Sequence, residues 1–360
     1  MRQTVMKFGA PGLVLCLVMA GCGDGTPFNG ETDTTDGGTT GTDTGATLSR
    51  DGLPAGTASP TPNDGIYRSE TPDPETGNGQ ATSYQYNGAD DTFTIDGLAF
   101  DGDNVYTRGT AVSSLGPYAV YEAPKVVQDS QSQVDINQLR HRAIYGVSKN
   151  LDGNGNPETQ FAIVRTGAYV GYGFGGFIYT RENGVSIETA AGAQGSYTGK
   201  TAGIRDFGGK AELQYTTGDL TIEIDFGDFN PTSSSVGDGV KARWTNRRIF
   251  DVDGVDVTNE VLADINTANN ASIGSLPDAQ FTIGPGSLDS NGEIIGTVVS
   301  GFEDNVAEYR GYESGKYYAI LSGTRGQEIV GVMVLENTTE DPDIRVRETS
   351  GFIVYRGPAP

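Results

Sequence analysis

Histidine, cysteine, tryptophan and methionine are scarce in this 360-residue chain, which contains one, two, one and four of them. The single histidine, His141, stands between Arg140 and Arg142, and no Gly-x-Ser-x-Gly motif accompanies it. A Ser-His-Asp or Cys-His nucleophilic system, or a zinc or copper site, draws on just these scarce residue types. The composition therefore predicts a non-enzymatic protein with no catalytic residues, no metal site and no cofactor.

Basic residues are also few, since 24 Lys and Arg stand against 47 Asp and Glu, for a formal net charge of −23. A surface of this sign repels nucleic acid and favours cations, basic partners or simple solubility. The chain is therefore predicted not to bind nucleic acid. Carboxylate pairs can support glycosidase chemistry, but among so many acids nothing distinguishes any two of them.

The apolar leader run PGLVLCLVMA is too short to span a bilayer, which takes about 20 residues. The positive residues Arg2 and Lys7 precede it and small residues follow it, which is the pattern of an export signal. The sequence Met19-Ala20-Gly21-Cys22 resembles the bacterial lipobox. That resemblance implies a signal peptide at 1–21, lipidation of the Cys22 thiol, and acylation of the new amino terminus with a palmitate-type chain.

A plain signal peptide with an incidental cysteine is the alternative to a lipobox. Because Cys16 is lost with the leader in either case, no disulfide is expected within the mature chain. Gly23, rather than Asp, follows the lipobox cysteine, and by the same resemblance this favours a lipid anchor in the outer membrane. The cell surface is the expected face, with the periplasmic face as the open alternative.

Residues 22–80 consist largely of Thr, Gly, Asp and Pro, with little to bury, and are expected to form a lipidated, disordered tether. Beyond it, short runs rich in Tyr, Phe and β-branched residues alternate with turn residues, which predicts an all-β chain. In "DLTIEIDF" (219–226) the apolar residues recur with period two, typical of a strand with one buried face. One helix is predicted over 257–270, with Thr258 or Asn259 as its N-cap.

Glycine-rich antiparallel strands of this kind avoid exposed edges by closing into a barrel. We therefore expect a small β-rich module at 81–157, followed by an antiparallel, roughly eight-stranded β-barrel at 158–357. Thr217-Gly218-Asp219 is assigned to a turn between two of the barrel strands.

Residues 192–229 resemble the β-barrel domain of transferrin-binding protein B and related bacterial surface lipoproteins. The match lies in Gly195, Tyr197-Thr198-Gly199 and Asp225-Phe226, with Gly192 as an alternative first glycine. A second match lies at 317–336 in Glu328, Gly331 and Val332, although Met333 and Val334 stand where the family has an aromatic residue. The resemblance implies one lobe of a family whose full form has two. It also implies an eight-stranded barrel on a lipid anchor, a reduced handle-like region at 81–150, and loops that bind a protein or small solute.

The strongest basic cluster is "KARWTNRRIF" (241–250). A basic-aromatic loop in so acidic a protein is a candidate contact for an acidic partner, although it can equally neutralise neighbouring acids. The candidate ligand-binding residues are Lys241, Arg243, Trp244, Arg247 and Arg248.

Three other segments are weaker candidates, and each has a simpler structural alternative. Alternating Asp152, Asn154 and Asn156 resemble the start of a calcium loop, with a hairpin loop as the better account. The acids of 251–260 suggest hard-cation binding or a solvated loop. The aromatic stretch 167–181 suggests a ligand patch or a bent strand with core aromatics.

The leading hypothesis is an outer-membrane-anchored lipoprotein that binds a protein or small solute through barrel loops. The alternatives are a structural envelope or surface-coat protein and an accessory subunit of an integral outer-membrane transporter. A hydrolase comes third.

Overall fold

The computed structural model describes residues 52–98, 105–128, 132–137, 140–169, 172–187, 193–226, 240–281, 287–337, 340 and 344–357. The predicted signal peptide (1–21), the lipidation site Cys22 and the tether up to residue 51 lie outside these described residues.

The described chain is built almost entirely of antiparallel strands that form a sheet and a barrel. The first sheet has ten strands, in the order β1-β2-β12-β11-β10-β7-β5-β4-β3, with β6 pairing β7. These strands are β1 (Ala55–Gly56), β2 (Ile66–Ser69), β3 (Ser83–Asn87), β4 (Thr92–Asp96), β5 (Tyr106–Arg108), β6 (Ser114–Leu115), β7 (Tyr118–Glu122), β10 (Arg142–Val147), β11 (Thr159–Tyr169) and β12 (Tyr172–Arg181). A separate two-stranded ribbon consists of β8 (Val126–Gln128) and β9 (Asp135–Asn137).

Eight further strands form a closed antiparallel barrel in which each strand pairs with the next along the chain, and the last pairs with the first. They are β13 (Gln194–Phe207), β14 (Lys210–Asp225), β15 (Val240–Asp251), β16 (Ala279–Phe281), β17 (Glu293–Glu303), β18 (Tyr309–Ser322), β19 (Glu328–Asn337) and β20 (Val346–Arg356). The predicted all-β class and eight-stranded barrel are confirmed. The period-two stretch behaves as expected, because Leu220, Ile222 and Ile224 all point into the barrel core.

The predicted boundaries between tether, module and barrel need correction. Residues 159–181, assigned to the barrel from their strand pattern, form β11 and β12 in the middle of the first sheet. Residues 55–69, assigned to the tether, supply β1 and β2 of the same sheet. Strand pattern alone does not reveal which sheet a strand joins, and here β11 pairs with β10, not with a barrel strand.

One face of the first sheet packs against the outer wall of the barrel. Their shared core joins Phe161, Ile163 and Phe177 of the sheet to Ile204, Val330 and other barrel side chains. Buried ion pairs cross the same interface: Arg68 of β2 binds Glu293 of β17 (Nε–Oε1 2.6 Å), and Glu70 contacts both Arg165 and Arg347. The sheet and the barrel are therefore joined by both apolar and ionic contacts.

The predicted helix is present as α1 (Thr258–Asn269), and Val261, Leu262 and Ile265 are its buried residues. Its N-cap is Val257, whose side chain has no hydrogen-bonding group, and the Thr258 hydroxyl contacts the backbone of Ile249 instead of capping the helix. The expected N-cap at Thr258 or Asn259 was therefore wrong. Within the described ranges, no helix combines the length and apolar character needed to cross a membrane.

Candidate functional site

The basic-aromatic cluster predicted to be a loop is a barrel strand, β15, with a bulge at its centre. Asn246 has a left-handed backbone (φ 51°), and the pairing with β14 shifts register between Thr217 and Asp219. Before the bulge the even-numbered residues Ala242 and Trp244 face inward, and after it the odd-numbered residues Arg247 and Ile249 do. Trp244 and Arg247, three residues apart, therefore both lie inside the barrel.

The two inward-facing candidates, Trp244 and Arg247, are buried and hydrogen-bonded. The Trp244 indole donates to the Thr201 hydroxyl at 2.9 Å, and the Arg247 guanidinium lies 4.0 Å from the indole ring. Arg247 also donates to both carboxylate oxygens of Glu313, at 2.6 and 2.8 Å, and to Glu348 at 3.3 Å. These two residues hold the barrel interior together, and a partner cannot reach them without opening the barrel.

The other three cluster residues lie outside the barrel, each beside a carboxylate. Lys241 pairs with Glu223 at 3.0 Å, Arg243 with Asp278 at 2.6 Å, and Arg248 with Asp256 at 3.1 Å. The five candidates thus do not form one surface. Neutralisation of neighbouring acids, the simpler of the two interpretations, describes the exposed three, and partner binding through them stays a prediction.

Arg248 also lines a groove of about 620 Å³ between the first sheet and the barrel wall, named here the sheet–barrel groove. The segment 111–116 of the sheet forms one wall, and barrel strands β13, β14 and β15 with Gly254 form the rest. A volume of this size is within the range of small-molecule sites, roughly 300–1,000 Å³.

The groove combines apolar and polar side chains. Val112, Leu115 and Phe250 supply apolar surface, while Ser113, Ser114 and Thr217 are its hydroxyl residues. Such a mixture suits a ligand that has an apolar part and several hydrogen-bonding groups.

The charged groups of the groove are held in exposed, exchangeable contacts. Lys200 donates to Asp219, and Asn246 donates to the second oxygen of Asp219 at 2.8 Å. The hydrogen bond from Lys200, followed by that from Asn246, lowers the pKa of the Asp219 carboxyl. Exposed ion pairs contribute about 0–1 kcal/mol, so a ligand can replace these contacts at little cost.

The groove floor rests on the only tryptophan of the chain. A Cβ atom added at Gly218 would lie 2.1 Å from the Trp244 indole nitrogen, so the floor admits only glycine at this point. This corrects the turn assigned to Thr217-Gly218-Asp219, which lies inside the continuous strand β14. The glycine is there for close packing and not for chain reversal.

The sheet wall is fixed to the barrel at Tyr118. The Tyr118 hydroxyl donates to the Lys200 carbonyl at 2.8 Å and accepts a hydrogen bond from the Ile353 amide at 2.8 Å. The groove is therefore preformed by the docking of the sheet. Sequence analysis missed the segment 111–116, because no local pattern shows that it lies opposite β14 and β15.

The weaker candidates have structural roles. Asp152 accepts hydrogen bonds from the Asn154 and Asn156 amides, both at 2.8 Å, which supports the hairpin reading of this loop. Asp251 forms the same arrangement with the amides of 253 and 255. Within the described ranges, no group of three or more His, Cys, Asp or Glu is placed to hold a metal. In the aromatic stretch, Phe174, Phe177 and Tyr179 are buried core residues.

Neither a family model nor a curated protein sequence matches the chain. Among solved structures, the chain is similar to a double mutant of the vaccine antigen Transferrin Binding Protein B from Haemophilus parasuis (9% identity, 78% of this chain, 43% of that one, TM-score 0.34). It is also similar to intact Ap-TbpB with N and C lobes (9%, 77% and 44%, 0.34) and to a single mutant of the H. parasuis protein (9%, 88% and 73%, 0.30). The chain spans less than half the length of the first two. These are structures of transferrin-binding protein B, the family that residues 192–229 and 317–336 resemble in sequence.

Proposed function

We propose that this chain is an outer-membrane lipoprotein, anchored through Cys22, that binds a protein or small solute without chemical conversion. The observation that carries the binding role is the sheet–barrel groove, which is preformed, of ligand size and lined by both apolar and hydrogen-bonding side chains. The lipobox sequence supports the anchor. The binding surface proposed here is thus the barrel wall beside the sheet, and not the barrel loops alone.

The position of Trp244 supplies a direct assay for binding. Because its indole lies directly beneath Gly218 of the groove floor and is the only one in the chain, its emission reports on the groove. The mature chain with Cys22→Ser is titrated with small solutes and with peptides, and tryptophan emission is recorded. A ligand of the groove is expected to shift the emission and to saturate.

Two variants separate groove binding from binding elsewhere. Ser114→Phe fills the groove, whereas Ser272→Phe adds the same ring at an exposed position that does not line it. The ligand should bind to wild type and Ser272→Phe and should lose affinity for Ser114→Phe. Equal affinity for all three proteins would refute the groove as the site.

The anchor is tested separately in cells. Metabolic labelling with palmitate should mark the wild-type chain and leave Cys22→Ser unlabelled and released from the membrane fraction. Protease treatment of intact cells should remove the folded part if it faces outward. Protection until the outer membrane is permeabilised would place it in the periplasm and limit its partners to the envelope, including an integral transporter.

A further inference from the structure

The sheet–barrel groove is electrically balanced. Its charged lining residues are Lys200, Asp219 and Arg248. Lys200 pairs with Asp219, and Arg248 pairs with Asp256 at 3.1 Å. An ionic ligand that replaced one member of a pair would leave that member, which carries the same sign of charge as the ligand, close beside it. The pairing therefore favours a ligand that has no charged group.

The ion pairs keep hydrogen-bonding positions that an uncharged ligand can use. The Asp219 carboxylate accepts one bond from Lys200 and another from Asn246 at 2.8 Å, which leaves further acceptor positions on its two oxygens. The Lys200 ammonium and the Arg248 guanidinium likewise have more N–H donors than one partner uses. Because a hydroxyl group both donates and accepts, it can bind beside these pairs without breaking them.

The polar groups of the barrel wall lie in two neighbouring rows. Lys200 and Asp219 are Cα partners on β13 and β14, and Asn246 reaches the same carboxylate from the bulge of β15. Thr217 and Arg248 are partners on β14 and β15 and belong to the next row. Positions two residues apart on a strand are separated by about 6.5 Å. A sugar ring carries hydroxyl groups on opposite edges, so one ring with its substituents can reach both rows.

The other side of the groove supplies hydroxyl groups and apolar surface. Ser113 and Ser114 of the sheet segment are exposed, and they stand beside the apolar residues Val112 and Leu115. Opposite them, Phe250 adds a partly buried aromatic ring. A sugar presents C–H groups on the faces of its ring, which gain by leaving water against such side chains, and hydroxyl groups at its edges.

We propose that the ligand of the sheet–barrel groove is a small neutral sugar, held by hydrogen bonds to Asp219, Asn246 and Thr217 and by packing against Phe250. This inference rests on the groove being the binding site proposed above, and it names the chemical class of the ligand. Binding is non-covalent and leaves both ion pairs in place.

The test uses the mature chain with Cys22→Ser, titrated by calorimetry with the neutral disaccharides maltose, cellobiose, lactose and diacetylchitobiose. The anion glucuronate and the zwitterionic dipeptide leucyl-phenylalanine are the charged comparisons. At least one disaccharide should bind, and more tightly than either charged probe. Since the ligand is uncharged, its affinity should change by less than about twofold between low and high salt. A steep loss of affinity with salt would contradict recognition of a neutral ligand.

Two isosteric variants of β14 test the assigned hydrogen bonds. Thr217→Val removes a hydroxyl group that lines the groove, whereas Thr221→Val makes the same change further along the strand, outside the groove. The disaccharide should bind about three- to tenfold more weakly to Thr217→Val and unchanged to Thr221→Val. Equal affinity for the two variants would overturn the assignment.

The outcomes separate this inference from the proposed function. If no disaccharide binds at millimolar concentration, while a charged probe binds and loses affinity for Ser114→Phe, the groove remains the binding site and the sugar is wrong. If a disaccharide binds equally to wild type and to Ser114→Phe, the groove is not its site, and both proposals fail. If none of these probes binds, the sugar proposal is overturned, and the wider titrations with small solutes and peptides decide the groove.

Discussion

The ion pair between Arg68 and Glu293 offers a sharp test of how the sheet is held to the barrel. It is bidentate, with Nε–Oε1 at 2.6 Å and Nη2–Oε2 at 2.9 Å, and the two side chains are only 4% and 1% exposed. Removing one member leaves the other charge buried without its counter-ion. Such a loss costs about 3–5 kcal/mol, whereas replacing both members by apolar residues of similar volume is often close to neutral.

We therefore expect Arg68→Met and Glu293→Met each to lower the free energy of unfolding by about 3–5 kcal/mol, and the double variant to lie closer to wild type than either single variant. The measurement is urea unfolding followed by Trp244 emission and by far-ultraviolet circular dichroism. Because the pair joins the sheet to the barrel, the two signals should change together.

The exposed pair Lys241–Glu223 serves as the control. Its side chains are 56% and 50% exposed, so Lys241→Met should cost less than about 1 kcal/mol. The reasoning is refuted if the Arg68 and Glu293 variants cost no more than this control, or if the double variant loses the full sum of the two single losses.

Three further predictions concern the barrel. Gly218→Ala should destabilise the fold by about 1–3 kcal/mol, because its methyl group meets the Trp244 indole, and the loss should appear as a lower urea midpoint. At the left-handed position 246, Asn246→Gly should be tolerated, whereas Asn246→Val should cost about 1–2 kcal/mol; equal melting temperatures would contradict the bulge. Burial, only partly offset by Arg165, raises the pKa of Asp206 from 3.8 to about 6. Because the pKa of Asp206 is higher in the folded than in the unfolded state, protonation of this carboxyl stabilises the fold. Its stabilising contribution is fully present below about pH 4 and is lost as the pH rises through 6. When the free energy of unfolding is measured from pH 4 to 7, wild type should lose up to about 3 kcal/mol more of it than Asp206→Asn over that range.

Several features of the fold could be read from the sequence because their signals are local. The alternation in 219–226 identified the inward residues of β14, and the apolar spacing of 257–270 identified α1. The closed barrel followed from many short antiparallel strands that would otherwise leave edges exposed.

The candidate site was less accessible to the same reasoning. The cluster 241–250 stands out in the sequence as the strongest basic cluster, but period-two alternation fails at Asn246, and a bulge has no clear signature in a single sequence. The cluster therefore divides into buried Trp244 and Arg247 and three exposed cations that pair with acids.

What the sequence by itself determined is the acidic composition and, within the described ranges, the set of elements: an all-β chain with one helix. The tertiary structure alone decided that 159–181 joins the sheet and that 111–116 faces β14 and β15. It also decided that Lys149 meets Tyr355, more than 200 positions away. The physical reason is that alternation and turn chemistry depend on neighbouring residues, whereas the sheet–barrel groove is made by side chains that only the docking of the sheet on the barrel brings together.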